Sequence, residues 1–132
     1  MKLSTKSRYG LRACFVLAQR QEGARLSVAE LTQYSGVSQP YLEKILARLA
    51  DAGVLESARG CEGGYRLAKR PQDVSVGQIV RTLEDNLELT DCLGKGCADA
   101  QCPNRRVLRK LYDTINGALD AYSLQDMVNE VL

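Results

Sequence analysis

Histidine and tryptophan are absent from this 132-residue chain, and phenylalanine occurs once. The commonest general base and the commonest nitrogen ligand for metals are therefore missing. With one Phe and no Trp, any core must be built from aliphatic side chains. No apolar run approaches the roughly 18 residues a membrane span needs. The opening MKLSTKSRYGLR is polar and basic for longer than a secretory signal allows. The expectation is a cytoplasmic protein with no membrane partner, in a compartment where thiols stay reduced. Five cysteines, an odd number, do not read as a disulfide framework there. No phosphate-binding glycine loop and no nucleophile–base pair is present, so an enzyme is not expected.

What is present begins with charge. Residues 1–70 hold 12 Lys/Arg against 6 Asp/Glu, and residues 71–132 hold 6 against 10. A basic first half is the footprint of a nucleic-acid surface, or of a solvated basic face.

Apolar spacing predicts a helix over 4–21, with Tyr9, Cys14, Val16 and Leu17 on one side. Ser27 and Glu30 have capping-box spacing and open a second helix carrying Val28, Leu31 and Tyr34. It stops at Ser35-Gly36-Val37. Ser38 can cap a third helix with Leu42, Ile45, Leu46, Leu49 and Ala50 on one stripe, ending at Gly53. Two capped helices joined by a short Gly-containing turn make a helix-turn-helix. Residues 54–58 and 65–68 read as strands about the glycine-rich turn Arg59-Gly60-Cys61-Glu62-Gly63-Gly64. A hairpin directly after a helix-turn-helix is a winged helix, with one helix for the major groove and a hairpin tip for backbone or minor groove.

Ser75 to Gln78 resembles another capping box, opening a helix to about Glu84. From Pro103 to Tyr122 runs a long helix with Val107, Leu108, Leu111, Ile115, Ala118, Leu119 and Tyr122 in a continuous apolar stripe. Such a stripe on a helix that leaves a small domain needs a partner, and a two-fold twin is the expected one. Ser123 starts a last short helix. The fold expected is mainly α with a small β-hairpin. A winged helix-turn-helix domain spans 1–84, a cysteine loop 85–102, and a dimerisation helix with a C-terminal helix 103–132.

Cys92, Cys97 and Cys102 share that loop with Gly94, Gly96 and Pro103. Five-residue steps on a regular helix turn about 500°, so the thiols converge only from a loop. A helix beginning near Pro103 would turn its free amides toward an anionic thiolate cluster. Structural zinc, redox-active thiols and inert cysteines are the competing readings; zinc sites usually show the tight C-x2-C pairs that this chain lacks. Cys14 reads as a small core residue. A fourth ligand could be a carboxylate, another thiol, a backbone or hydroxyl oxygen, or an exogenous group; Glu43 on the third helix, reaching from the other subunit, is the carboxylate that would tie cluster state to DNA reading.

The chain resembles the Rrf-two family of bacterial winged-helix transcription regulators, and within it the iron–sulfur branch. The stretches KLSTKSRYGLRA, LTQYSGVSQPYLEKILARLADAGVLES and RGCEGGYRLAKRPQDVSVGQIVRTLE carry the resemblance, with the cysteine loop and the ending ALDAYSLQDMV. It implies a homodimeric regulator, usually a repressor, on a pseudo-palindromic double-stranded operator. It also implies an iron–sulfur cluster on Cys92, Cys97 and Cys102, with [2Fe–2S] placed ahead of [4Fe–4S]. Cluster loss would change DNA binding, and the regulated genes would be those that build such clusters. Sister branches sense nitric oxide, iron or cysteine metabolism. The iron–sulfur branch commonly has a ligand histidine three residues after the third cysteine; Arg105 stands there. The nitric-oxide branch has an acidic residue where this chain has Arg8, and both cysteine spacings are one residue shorter. A cluster carrier that does not bind DNA is the alternative from a different class.

Ser38, Gln39, Tyr41, Glu43 and Lys44 fall on the first turns of the third helix, where base edges would lie. Gln suits adenine and Glu accepts from cytosine N4. Arg48 is assigned to phosphate. Arg59, with Gly60 beside it, is assigned to a narrow minor groove.

Overall fold

The computed structural model describes residues 2–58, 63–85, 87, 89, 93 and 101–131. Helix α1 (Thr5–Ala18) starts at Ser4, whose Oγ accepts from the Ser7 amide at 3.3 Å. It buries Ala13, Cys14, Val16 and Leu17, the aliphatic side read from the sequence. Helix α2 (Val28–Ser35) carries the full reciprocal box between Ser27 and Glu30. Gly36 then turns the chain at φ +71°, a left-handed conformation that suits a residue without Cβ. Helix α3 (Gln39–Asp51) follows at once and buries Leu42, Ile45, Leu46 and Leu49. Ser38 occupies its N-cap without a side-chain bond. Pro40 at the second helical position has no amide to offer it.

Strands β1 (Leu55–Ala58) and β2 (Gly64–Leu67) pair antiparallel, Leu55 opposite Leu67 and Ala58 opposite Gly64. A third backbone segment joins them: Leu26 and Tyr65 exchange two bonds, of 3.0 and 2.8 Å. The wing base is thereby fixed to the segment entering α2. A short 3-10 turn (Pro71–Asp73) leads to α4 (Val76–Leu83), which buries Ile79, Val80 and Leu83.

Helix α5 (Pro103–Ala121) is the longest element, at 19 residues, and none of its side chains is buried. Helix α6 (Leu124–Glu130) returns to the head: Leu124 is fully buried, and Met127 and Val128 pack against the core. The core runs through α1, α3, α4 and α6 and is aliphatic throughout, apart from Cys14. Each fully buried Leu, Ile or Val contributes about 1.5–3 kcal/mol of transfer free energy. No helix among the described residues is long and apolar enough to cross a membrane.

Besides the missing Ser38 side-chain cap, two details differ from the sequence reading. Tyr34 lies outside the core, with its hydroxyl accepting from Arg20 at 2.6 Å and its ring under the same guanidinium. Ser75 caps α4 by accepting from the Gln78 amide at 3.0 Å, in a one-way bond rather than a reciprocal box.

Candidate nucleic-acid interface

Around α3, residues advance about 100° per step. The four buried leucine and isoleucine side chains therefore leave an opposite face with two flanks. Ser38, Gln39, Glu43 and Lys44 are exposed on it. Tyr41 is half-buried and meets the Tyr9 ring edge-on, with centroids 6.3 Å apart, so it packs as well as borders the face.

Glu43 lies on the wing flank. With Gln39, Ser27, Ala29, Ser57, Gly63 and Tyr65 it lines a cleft of about 540 Å³ between α3, the start of α2 and the wing. Burial, then the Glu43 and Asp51 charges, push the Tyr65 phenol above its ordinary value. The phenol is therefore neutral at physiological pH, a donor at the edge of the cleft. Gly64 sits here at φ +139°, and a Cβ on it would strike the Leu26 carbonyl and the Ser27 amide. The wing can hug the α2 entry only with glycine at this position.

Arg48 lies on the other flank, toward α1 and α4. Its Nη2 donates to the Thr82 carbonyl at 2.8 Å and lies 3.6 Å from Asp85 Oδ1. Lys6 of α1 donates to Asp85 Oδ2 at 3.4 Å. The sequence reading assigned Arg48 to phosphate but found neither Lys6 nor the carboxylate between them, since 79 residues separate Lys6 from Asp85. The wing strands carry one further ion pair, Arg66 with Glu56 at 2.6 Å. Arg59 and Gly60, assigned to the wing tip, lie outside the described residues.

Of the three loop cysteines, Cys102 is described; Cys92 and Cys97 lie outside the described residues. Cys102 is half-buried at the N-cap of α5. Arg105, Arg106, Arg109 and Lys110 line a hollow of about 350 Å³ just beyond it. Arg109 donates to the Leu93 carbonyl at 3.4 Å, and Leu93 itself is buried. The residue next to Cys92 is thus held at the first turns of α5. No part of the apolar pattern pointed to that contact. Cys14 is the core residue its spacing implied: fully buried, with its thiol pushed up to about 12 by desolvation. Among the described residues no three His, Cys, Asp or Glu side chains converge on one point. A donor set of three soft thiolates in a chain without imidazole fits an iron–sulfur cluster better than a hard cation.

A helix-turn-helix, a hairpin wing pinned beside it and an external long helix define a winged-helix transcription regulator. Residues 3–130 match the Rrf2 family, described as an iron-dependent transcriptional regulator, and the chain belongs to that family. It is 33% identical over 135 residues to the HTH-type transcriptional regulator IscR of Aliivibrio salmonicida, covering 99% of this chain and 80% of that protein. Among solved structures it is similar to CymR, the global cysteine regulator of B. subtilis. There the TM-score is 0.84 at 30% identity, over 98% of both chains. It is also similar to T. potens IscR, with a TM-score of 0.80 at 36% identity, over 100% of this chain and 89% of that one.

Proposed function

We propose that this regulator works as a homodimeric repressor that reads the state of an iron–sulfur cluster held by Cys92, Cys97 and Cys102. The observation that carries this reading lies at the two ends of the cysteine segment in the chain. It follows the end of α4, where Thr82 and Asp85 engage the DNA-reading helix, and precedes α5, which Cys102 caps. A ligand held by those cysteines therefore acts at both ends: on α3 through Arg48, and on α5 through its cap. The bound cluster would supply a soft centre whose charge and integrity respond to oxidants and to iron supply. The α5 amides and the cations of its first two turns favour the negative charge of such a centre.

Dimerisation is supported by α5. Val107 and Leu111 are 57% and 50% exposed on a helix with no buried side chain. Two copies meeting there would present two recognition helices to a pseudo-palindromic operator. Ser38, Gln39, Tyr41, Glu43 and Lys44 are the base-facing set, and Arg48, Arg59 and Gly60 the backbone-facing set. Glu43, set in the wing cleft, supports reading of a base edge; as a fourth cluster ligand it would couple cluster state to that reading. The regulated genes on this reading are those for cluster assembly.

Purification without oxygen tests the cofactor. The expected result is a coloured protein with charge-transfer absorption and a Mössbauer spectrum of a [2Fe–2S] centre, both lost in Cys102→Ser. A colourless protein with stoichiometric zinc would overturn the reading. Glu43→Ala separates its two roles: an unchanged spectrum with altered operator preference leaves Glu43 as a base reader alone. The similarity to CymR, described as a cysteine regulator, favours one second reading, a thiol-based sensor of the same fold. Reversible disulfide formation among the loop cysteines, with no iron bound, would establish it.

A further inference from the structure

We infer that Asp85 is a built-in competitor of DNA phosphate for the basic flank of the recognition helix. Its two oxygens are divided between two helices: Oδ1 lies 3.6 Å from Arg48 of α3, and Oδ2 accepts from Lys6 of α1 at 3.4 Å. Both cations lie on the flank of α3 away from the wing, the side on which α1 and α4 pack. The carboxylate is 79% exposed, so it is open to displacement from solvent. A phosphate diester offers the same geometry, two anionic oxygens for a guanidinium and an ammonium. The pair also costs little to break, because exposed ion pairs are weak.

The neighbours of Asp85 explain why it stays in place without DNA. Glu84 accepts from the Ser4 amide and the Ser7 hydroxyl, both at 2.6 Å, and Arg48 donates to the Thr82 carbonyl. The end of α4 is thus clasped on α1 and α3, and Asp85 is the next residue along. When DNA arrives, Arg48 keeps its Thr82 bond and exchanges Asp85 for phosphate. Asp85 precedes Cys92 by seven residues. Movement of the cysteine loop would therefore shift the competitor itself, a link that rests on the sensing function proposed above.

The test is a titration of the full chain, without cluster, against a random-sequence 40-base-pair duplex, since phosphate contacts need no particular sequence. Asp85→Asn should bind about three- to tenfold more tightly at about 0.1 M salt, and the slope of log K on log salt should steepen by about one phosphate contact. In an Arg48→Gln or Lys6→Gln background the gain from Asp85→Asn should fall by at least half. An equal gain in those backgrounds would show a general charge effect and overturn the inference. An unchanged affinity in Asp85→Asn, with wild type still binding, would overturn it and leave the regulator reading intact. Failure of the wild-type chain to bind any duplex would overturn both.

Discussion

Ser7 Oγ donates to Glu84 Oε1 at 2.6 Å, joining residues 77 positions apart in the chain. Ser7 is fully buried, and the same carboxylate oxygen accepts the Ser4 amide, also at 2.6 Å. One acidic side chain at the end of α4 thus satisfies a buried hydroxyl and an otherwise orphaned amide at the start of α1. The bond is short because the acceptor is ionised.

Removing the acceptor should cost more than removing the donor. Glu84→Ala leaves two donors stranded and is expected to lower stability by about 2–3 kcal/mol, whereas Ser7→Ala should lose about 1 kcal/mol. Urea unfolding of both variants measures the difference. Equal losses would show that the carboxylate does nothing beyond its bond to Ser7.

The same carboxylate makes the protein acid-sensitive. Partial burial works to raise the Glu84 pKa, but the Ser7 hydroxyl, the Ser4 amide and the Lys6 charge outweigh it and hold the group below its ordinary 4.5. The hydrogen bond from Arg81 holds Asp120 below its ordinary 3.8. A lowered folded value means each group stabilises only while ionised. That contribution is complete above the ordinary values and is lost as pH falls through the lower folded ones. Unfolding free energy should hold steady from these two groups between about pH 7 and 5.5 and decline below about 4.5. Glu84→Gln and Asp120→Asn should each flatten part of the decline.

Gly64 has no room for a side chain. Gly64→Ala places a methyl against the Leu26 carbonyl in a strained backbone region, at a cost of about 1–3 kcal/mol. The wing should swing from the α2 entry, and duplex affinity should drop at least about tenfold if wing contacts to the backbone are lost. Fluorescence anisotropy on labelled DNA reads this directly, with circular dichroism to check that the helices remain.

Helix α5 should govern the oligomeric state. Leu111→Glu sets a carboxylate into the uncovered stripe, and sedimentation should show monomers where the parent chain shows dimers. A dimeric Leu111→Glu protein would place the interface elsewhere.

Thiol labelling should separate structural from accessible cysteine. With its thiol pushed up to about 12 by burial, Cys14 should resist alkylation at pH 8 in the folded, cluster-free protein, while half-buried Cys102 reacts. In denaturant both should label, as mass spectrometry of the peptides would show.

The elements of the fold were legible wherever local chemistry decides. Ser27 with Glu30, the Ile45–Leu49 stripe and Pro103 at the start of α5 all signal their elements within a few residues. Tyr34 misled because helical spacing cannot say whether a tyrosine packs inward or stacks beneath an arginine 14 residues earlier. Ser75 misled because Gln78 has the right spacing, while its side chain makes no return bond. The outer face of α3 was also readable, since an aliphatic stripe defines its opposite. The Glu84 and Asp85 contacts were not, because nothing local ties them to α1 or α3. They exist because tertiary packing brings the end of α4 there.

Among the described residues, helix α5 is bound to the head most closely at its C-terminal end. At Tyr122 its carbonyl accepts from the Val76 amide at 2.8 Å, the Leu124 amide donates to Val74 at 2.9 Å, and Arg81 grips Asp120 at 2.8 Å. Toward the other end, Arg109 donates to the Leu93 carbonyl at 3.4 Å. The helix is a lever about 28 Å long with its fulcrum at residue 122. A tilt of about 5° there carries the Cys102 end roughly 2.5 Å. An angular error too small to disturb the fulcrum's hydrogen bonds is thus amplified into a displacement comparable to the width of an atom at the far end.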